Sequence, residues 1–260
     1  MPQTPSRFLS GVATQKPNTL YGNYPFPCPP DCGTYFNDFF TYLAGDWTVA
    51  PATGTSVLNS QNGGVLRLTT GAVSGNGQGN ALNPASITIT PGFQSWFAIL
   101  ITLPLTSVPN FIVGLTAGGA NAPTNGVYFS KPTVSQVVSM IINKASTPTT
   151  MTNTTTCADA TQLALGWFYD GRPTPILYGF SSTALTSLGY LGTAFAQPQI
   201  FGGAMFGAMG GDQTVAAALQ PLTNLPIVAL QPSFFVQTNA ASAVTMDVDY
   251  VFGSTEIPRF

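Results

Sequence analysis

From residue 35 to the end of the chain, short runs of β-branched and aromatic residues alternate with clusters of Gly, Pro, Asn and Ser, and no amphipathic segment is long enough for a sustained helix. That punctuation restricts the chain to strands and turns. The runs place strands near Trp47–Val49, Val65–Thr70, Ser86–Thr90, Trp96–Leu103, Phe111–Thr116, Val127–Ser130, Val137–Asn143, Leu163–Tyr169, Ile176–Phe180, Ile227–Leu230, Phe234–Gln237 and Val244–Phe252. Ile87 and Ile89 alternate with Thr88 and Thr90, which puts one face of that strand on a core and the other outside. Asp170-Gly171 lies between two such runs and tolerates the positive φ of a tight hairpin. Helical turns are expected only at Tyr35–Leu43 and at Thr214–Gln220, where an alanine run helps. Strands at this spacing with long connections read as an all-β, two-sheet antiparallel jelly-roll sandwich formed by residues 35–260 as one domain.

Two segments stand outside the pattern. Residues 1–34 hold Pro2, Pro5, Pro17, Pro25, Pro27, Pro29 and Pro30, which deny the segment both helix and central strand and make it an extended Pro-rich arm. The arm also carries Phe8, Leu9, Leu20, Tyr21, Tyr24 and Phe26, which a solvated linker lacks, so it is expected to dock on its own sandwich or on a neighbour. Within an insertion at about 190–222, Phe201, Met205, Phe206 and Met209 lie among glycines and alanines. That stretch reads either as a contact element or as an irregular loop over its own sheet. Phe8, Leu20, Tyr21, Tyr24 and Phe26 of the arm, with Phe201, Met205, Phe206 and Met209 of the insertion, are the candidate partner-docking residues.

Charge sharpens the expectation of contact with other protein. Seven Lys and Arg and nine Asp and Glu make 6% of 260 residues, against roughly 25% in an ordinary domain. A monomer of this mass exposes on the order of 11,000 Å², so charge-free areas as large as one side of a standard interface, about 800 Å², are expected. Interface cores are depleted in charge, and such a surface is expected to lie against fellow subunits. The few basic residues form no stripe, and Arg7 and Lys16 are the only ones before residue 34, so nucleic acid is not an expected partner. The longest apolar run, Trp96–Ile101, is too short to span a bilayer, and no secretion address opens the chain, so a soluble protein without a membrane partner is expected.

The residues offer little chemistry. Without histidine there is no Ser-His-Asp or Cys-His unit and no imidazole ligand. Cys28 and Cys32 flank a Pro-Pro-Asp turn while Cys157 lies far away, which leaves reduced thiols or a Cys28–Cys32 disulfide; a zinc site would need an aspartate such as Asp31. Gly75, Gly77 and Gly79 read as a flexible loop and not as a phosphate cradle. Asp247 and Asp249 are the one close carboxylate pair inside an expected strand, at i and i+2 on one face, a separation that could suit a retaining glycosidase. The same placement suits a strand whose polar side faces water, with Val251 continuing that face and Met246, Val248 and Tyr250 on the other. Asp159, Asp170 and Asp212 are calcium-type donors without EF-hand spacing. Trp96, Trp167 and Tyr169 are sugar-stacking types, but at strand spacing within apolar runs they read as core. No catalytic residue, metal or cofactor is expected, and the chain does not read as an enzyme.

The order of Gly63–Gly71, Trp96–Leu103, Val113–Leu115 with Asn125–Phe129, Leu165–Gly171 and Ala241–Val251 resembles the concanavalin A-like sandwich proteins among tailed-phage virion components, of minor capsid, decoration or head-fibre type. The resemblance covers about residues 45–252. It implies a structural role on a virus particle, without catalysis or cofactor, for a protein made in the host cytoplasm and carried in the virion. The implied role is to decorate or cement the capsid through the arm and the uncharged surfaces, with the major capsid protein and copies of itself as partners. A carbohydrate-binding attachment module that takes a cell-surface glycan is the alternative, and a jelly-roll shell subunit a further one. The run of acidic residues along one strand in the sugar-cleaving relatives is not reproduced by Asp247, Asp249 and Glu256, which puts enzymatic function in doubt.

Overall fold

The computed structural model describes residues 32–59, 64–103, 109–157, 159–169, 171, 176–182, 213–219 and 225–256. Sixteen strands run through them: β1 (Cys32–Asn37), β2 (Trp47–Ala52), β3 (Thr55–Asn59), β4 (Val65–Thr69), β5 (Gly77–Leu82), β6 (Ile87–Thr88), β7 (Ser95–Leu103) and β8 (Asn110–Ala117), then β9 (Asn125–Lys131), β10 (Val137–Lys144), β11 (Thr147–Thr156), β12 (Thr161–Tyr169), β13 (Ile176–Ser182), β14 (Gln213–Leu219), β15 (Ala229–Gln237) and β16 (Thr245–Glu256). The one helical element among the described residues is a 3-10 turn at Ala44–Asp46.

All pairings are antiparallel and build two sheets. The first has the order β14-β13-β12-β7-β16-β4-β3, with β1 also on β16; the second has the order β11-β10-β9-β8-β15-β5-β2, with β6 also on β15. The expected all-β two-sheet sandwich is the observed architecture. Period-two alternation assembles its interior, since Phe97, Ile99 and Ile101 of β7 lie in register with Trp167, Leu165 and Leu163 of β12 and all enter the core. Phe97 stacks on Trp167 at 6.1 Å between ring centroids, and the Trp167 indole N–H crosses the interior to donate to the Val127 carbonyl at 3.2 Å. Trp47 packs on Phe234 at 4.9 Å.

The structure corrects several local expectations. Tyr35–Leu43 is not helical: its first part belongs to β1, because Phe36 pairs with Phe252 across the ladder. Cys32, Gly33 and Thr34, assigned to the arm, are likewise in that strand. Of the expected helical turn Thr214–Gln220, Thr214–Leu219 is strand and Gln220 lies outside the described residues; pairing of Gln213–Leu219 with β13 overrides the helix propensity of Ala216, Ala217 and Ala218. Gly77 and Gly79 lie in β5 and not in a loop, paired with Gln237 and Phe235 of β15, and a Cβ at Gly79 would stand 2.5 Å from the Ala50 carbonyl oxygen.

The expected strands Ile227–Leu230 and Phe234–Gln237 are one strand, β15, that runs through Pro232. Pro232 pairs with Leu115 on one side, while on the other β6 stops at Leu230 and β5 starts at Ser233. The missing N–H therefore falls in a gap in the ladder. The hairpin expected at Asp170-Gly171 joins β12 to β13, and Gly171 has φ +67° with the Phe93 backbone where a side chain would stand. Its connection runs from 170 to 175 and is longer than a tight turn.

Candidate docking surface

β3 closes one edge of the first sheet, paired with β4 from Thr55↔Thr69 to Asn59↔Val65. Its sequence, Thr-Ser-Val-Leu-Asn, holds neither a charge nor a proline. Exposed edges are commonly guarded by such residues or by bulges. Two other end strands follow that rule: β2 carries Pro51 and a register break between Val49 and Ala52, and β11 carries Pro148. Val57 and Leu58 of β3 are consecutive and both at least 44% exposed, so both faces of this edge are open.

The segment after β1 extends the apolar character of that edge. The Asn37 carboxamide oxygen accepts the Phe39 N–H at 2.8 Å, an Asx turn that reverses the chain. Phe39 is thereby driven into the core against Trp47 at 6.1 Å and Phe234 at 5.9 Å, and Phe40 points outward. A close approach of Gly64 to the Asp38–Phe39 backbone holds the segment beside the start of β4. Tyr42 is fixed by the Asn80 carboxamide N–H at 2.8 Å, and Asn80 in turn accepts from the Ser56 hydroxyl of β3 at 2.7 Å. Phe40 and Leu43 are about two-thirds exposed, and Phe36, 6.4 Å from Tyr250 between ring centroids, is half-exposed. The exposed apolar residues of this part of the chain, Phe36, Phe40 and Leu43 with Val57 and Leu58 of the β3 edge, make up the candidate apolar flank, the two groups being linked through the Tyr42–Asn80–Ser56 hydrogen bonds.

Charges adjoin this flank: Asp38 lies between Phe36 and Phe40, Asp46 follows Leu43, and Arg67 stands beside Val57. Arg67, which pairs with Val57 in register, grips Asp247 through two bonds, Nε to Oδ1 at 2.7 Å and a terminal guanidinium nitrogen to Oδ2 at 2.6 Å. The Asp247 carboxylate in turn raises the Arg67 pKa. Burial, then the nearby Asp38, pushes the Asp249 carboxyl above the ordinary carboxylate range.

Asp247 and Asp249, whose spacing could suit a retaining pair, do not share a face. The β16–β7 register breaks between Val248 and Tyr250, so Asp249 sits in a bulge and not on the Asp247 face. The same break reverses the expected faces beyond it: Val251 enters the core with Met246 and Val248, while Tyr250 pairs with Leu100 on the opposite side. Both Asp247 oxygens are occupied by Arg67.

Trp167 and Tyr169 are core residues, and Trp96 is buried on the outer face of the first sheet, so none of the three offers an open ring to a sugar. Among the described residues no group of three or more Cys, Asp or Glu could hold a metal. Asp159 is exposed, and Asp170 and Asp212 lie outside the described residues. Cys157 is buried, its thiol 3.4 Å from the Gln136 carbonyl oxygen and pushed up in pKa by burial. The Cys28–Cys32 pairing rests on side chains outside the described set, as do the docking candidates Phe8, Leu20, Tyr21, Tyr24, Phe26, Phe201, Met205, Phe206 and Met209. The flank itself escapes a sequence reading, although the one signal for it was present: an uncharged, proline-free Thr-Ser-Val-Leu-Asn run following Gly54.

No family model and no curated protein matches the chain. Solved structures do. The CBM2 module of the evolved Dit of Lactobacillus casei BL23 phage J-1 is similar over 88% of this chain and 99% of its own, with TM-score 0.55 and 9% identity. The fold is concanavalin A-like. An endo-1,3-β-glucanase from Streptomyces sioyaensis shares it over 90% of this chain and 99% of its own, with TM-score 0.54 and 10% identity. A Lotus tetragonolobus seed lectin does so over 87% and 100%, with TM-score 0.53 and 12% identity. At these identities the concanavalin A-like sandwich is what the proteins have in common, and it hosts a lectin, an enzyme and a phage module alike.

Proposed function

We propose that the protein is a non-enzymatic structural protein of a virus particle, which decorates or cements a capsid by binding the major capsid protein and neighbouring copies of itself. The observation that carries the reading is the unguarded β3 edge flanked by Phe36, Phe40 and Leu43. Open strand edges invite pairing with another chain, and exposed apolar patches with a polar rim mark contact surfaces. The low charge count of the whole chain favours the same use of the surface. Arg67 occupies both oxygens of Asp247 and Asp249 stands in a bulge, so these two carboxylates do not act as a pair on one face.

The test is mass spectrometry of density-purified particles from a virus that encodes this chain. The protein is expected among the particle proteins at a fixed ratio to the major capsid protein. Its absence from particles, with the chain present in the infected-cell lysate, contradicts the proposal.

Likeness to a phage carbohydrate-binding module and to a seed lectin favours one second reading, attachment to a cell-surface glycan. Against it, Tyr128 and Phe235, the aromatics on the outer face of the second sheet, are buried. A glycan array probed with the full chain separates the two: saturable binding to one sugar class supports attachment, and a blank array supports the capsid role.

A further inference from the structure

β3 is an open edge whose sequence suits a copy of itself. Thr55-Ser56-Val57-Leu58-Asn59 ends the first sheet, pairs among the described strands only with β4, and carries neither charge nor proline. Val57 is 50% and Leu58 44% exposed, so an apolar side chain stands against water on each face of the edge. The strand is held in place from within. The Ser56 hydroxyl donates to the Asn80 carboxamide oxygen at 2.7 Å and accepts the Gln78 carboxamide N–H at 2.9 Å, which anchors β3 to β5 of the other sheet. A strand fixed in this way is a preformed template, and little ordering entropy is lost when another strand pairs with it.

We infer that this edge pairs with β3 of a second copy of the chain, antiparallel about a two-fold axis through Val57. A two-fold that keeps the whole strand paired has its axis at Val57, which then faces its own counterpart, with Ser56 opposite Leu58 and Thr55 opposite Asn59 of the second copy. Two β-branched valines meet on one face, a favourable cross-strand pair, and each exposed Leu58 is covered by the added strand. Charge fits the same occupant. On the Val57 face the adjacent charge is Arg67, in register with Val57 and neutralised by Asp247. The Arg67 residues of the two copies would lie three strand spacings apart, about 14 Å at ~4.8 Å each, beyond the screening length of about 10 Å at 0.1 M salt. A charged partner strand finds no counter-charge along β3, whereas the chain's own β3 needs none. β14, at the opposite edge of the first sheet, is equally free of charge and proline, but β3 on β14 would repeat from copy to copy without closing, and the two-fold closes at the dimer. A ladder of five residues is small beside a standard interface of about 1,600 Å², so the dimer is expected to be reversible and not obligate. Pairing of this kind rests on the reading of β3 as a contact edge and assigns that edge to a second copy.

The experiment is sedimentation velocity of the full chain over a concentration series, with no capsid present. A monomer–dimer equilibrium is expected for the parent at tens of micromolar. Val57→Lys and Val57→Glu each place like charges on the axis, and each variant alone is expected to be monomeric. Their equimolar mixture is expected to recover the dimer, because residue 57 of one copy faces residue 57 of the other. A monomeric parent, growth beyond the dimer, or variants that dimerise as the parent does overturn the inference; a mixture that stays monomeric overturns the register at Val57. Hydrogen exchange in the unsubstituted chain supplies a second measurement that does not depend on how the variants fold. The amides of Thr55–Asn59 are expected to exchange more slowly as concentration rises through the dimer range, and exchange that ignores concentration contradicts the pairing. Failure here leaves capsid binding untouched, and absence of the protein from purified particles leaves the dimer standing, so the two readings fail separately.

Discussion

Arg67 on β4 and Asp247 on β16 face each other across the ladder and are joined by two parallel hydrogen bonds of 2.7 and 2.6 Å. A fork of this kind fixes both side chains in one plane and occupies both carboxylate oxygens. The pair is therefore structural. Its guanidinium is about one-third exposed, so solvent screens it and the stabilisation is modest. Asp247→Asn is expected to lower unfolding stability by about 1 kcal/mol in denaturant titration. A loss several times larger would mean that the pair is buried more deeply than its exposure indicates.

Asp249 has the opposite character. Burial and Asp38 raise its pKa above the ordinary 3.8. Between those two values the folded state binds more protons than the unfolded state, so stability falls as pH rises through the window. Asp249→Asn is expected to raise the melting temperature at pH 7 and to flatten the decline in stability above pH 4. An unchanged pH profile in the variant contradicts this account.

Trp167 fills the middle of the sandwich and ties the sheets together through Val127. Trp167→Ala removes a fully buried ring and is expected to cost about 3–5 kcal/mol, read by chemical denaturation. Near-native stability would place the ring outside the core.

The reach of the sequence differs from element to element for physical reasons. β7 and β12 were legible because Trp96–Leu103 and Leu163–Tyr169 are rich in residues that fit a pleated, buried surface. β5 was not, since Gly77 and Gly79 lower propensity where the backbone must pass close to Ala50 and Phe235, a demand set by tertiary contact. The Asp249 bulge defeats any period-two reading, because one extra residue exchanges the faces of everything after it. The candidate flank draws Phe36, Phe40 and Leu43 from the segment at β1 and Val57 and Leu58 from β3, groups linked through the Tyr42–Asn80–Ser56 hydrogen bonds and not by any pattern in the sequence.

Phe40 and Leu43 are the most accessible members of the flank and contribute little to the core, so charging them tests contact without testing folding. Phe40→Asp with Leu43→Asp is expected to leave unfolding stability within about 0.5 kcal/mol of the parent. Co-sedimentation of parent and variant with purified capsids, followed by quantitative gel densitometry, is the direct measurement. The account predicts that the parent chain travels with the particles and the double variant stays at the top of the gradient; equal co-sedimentation of the two proteins contradicts it.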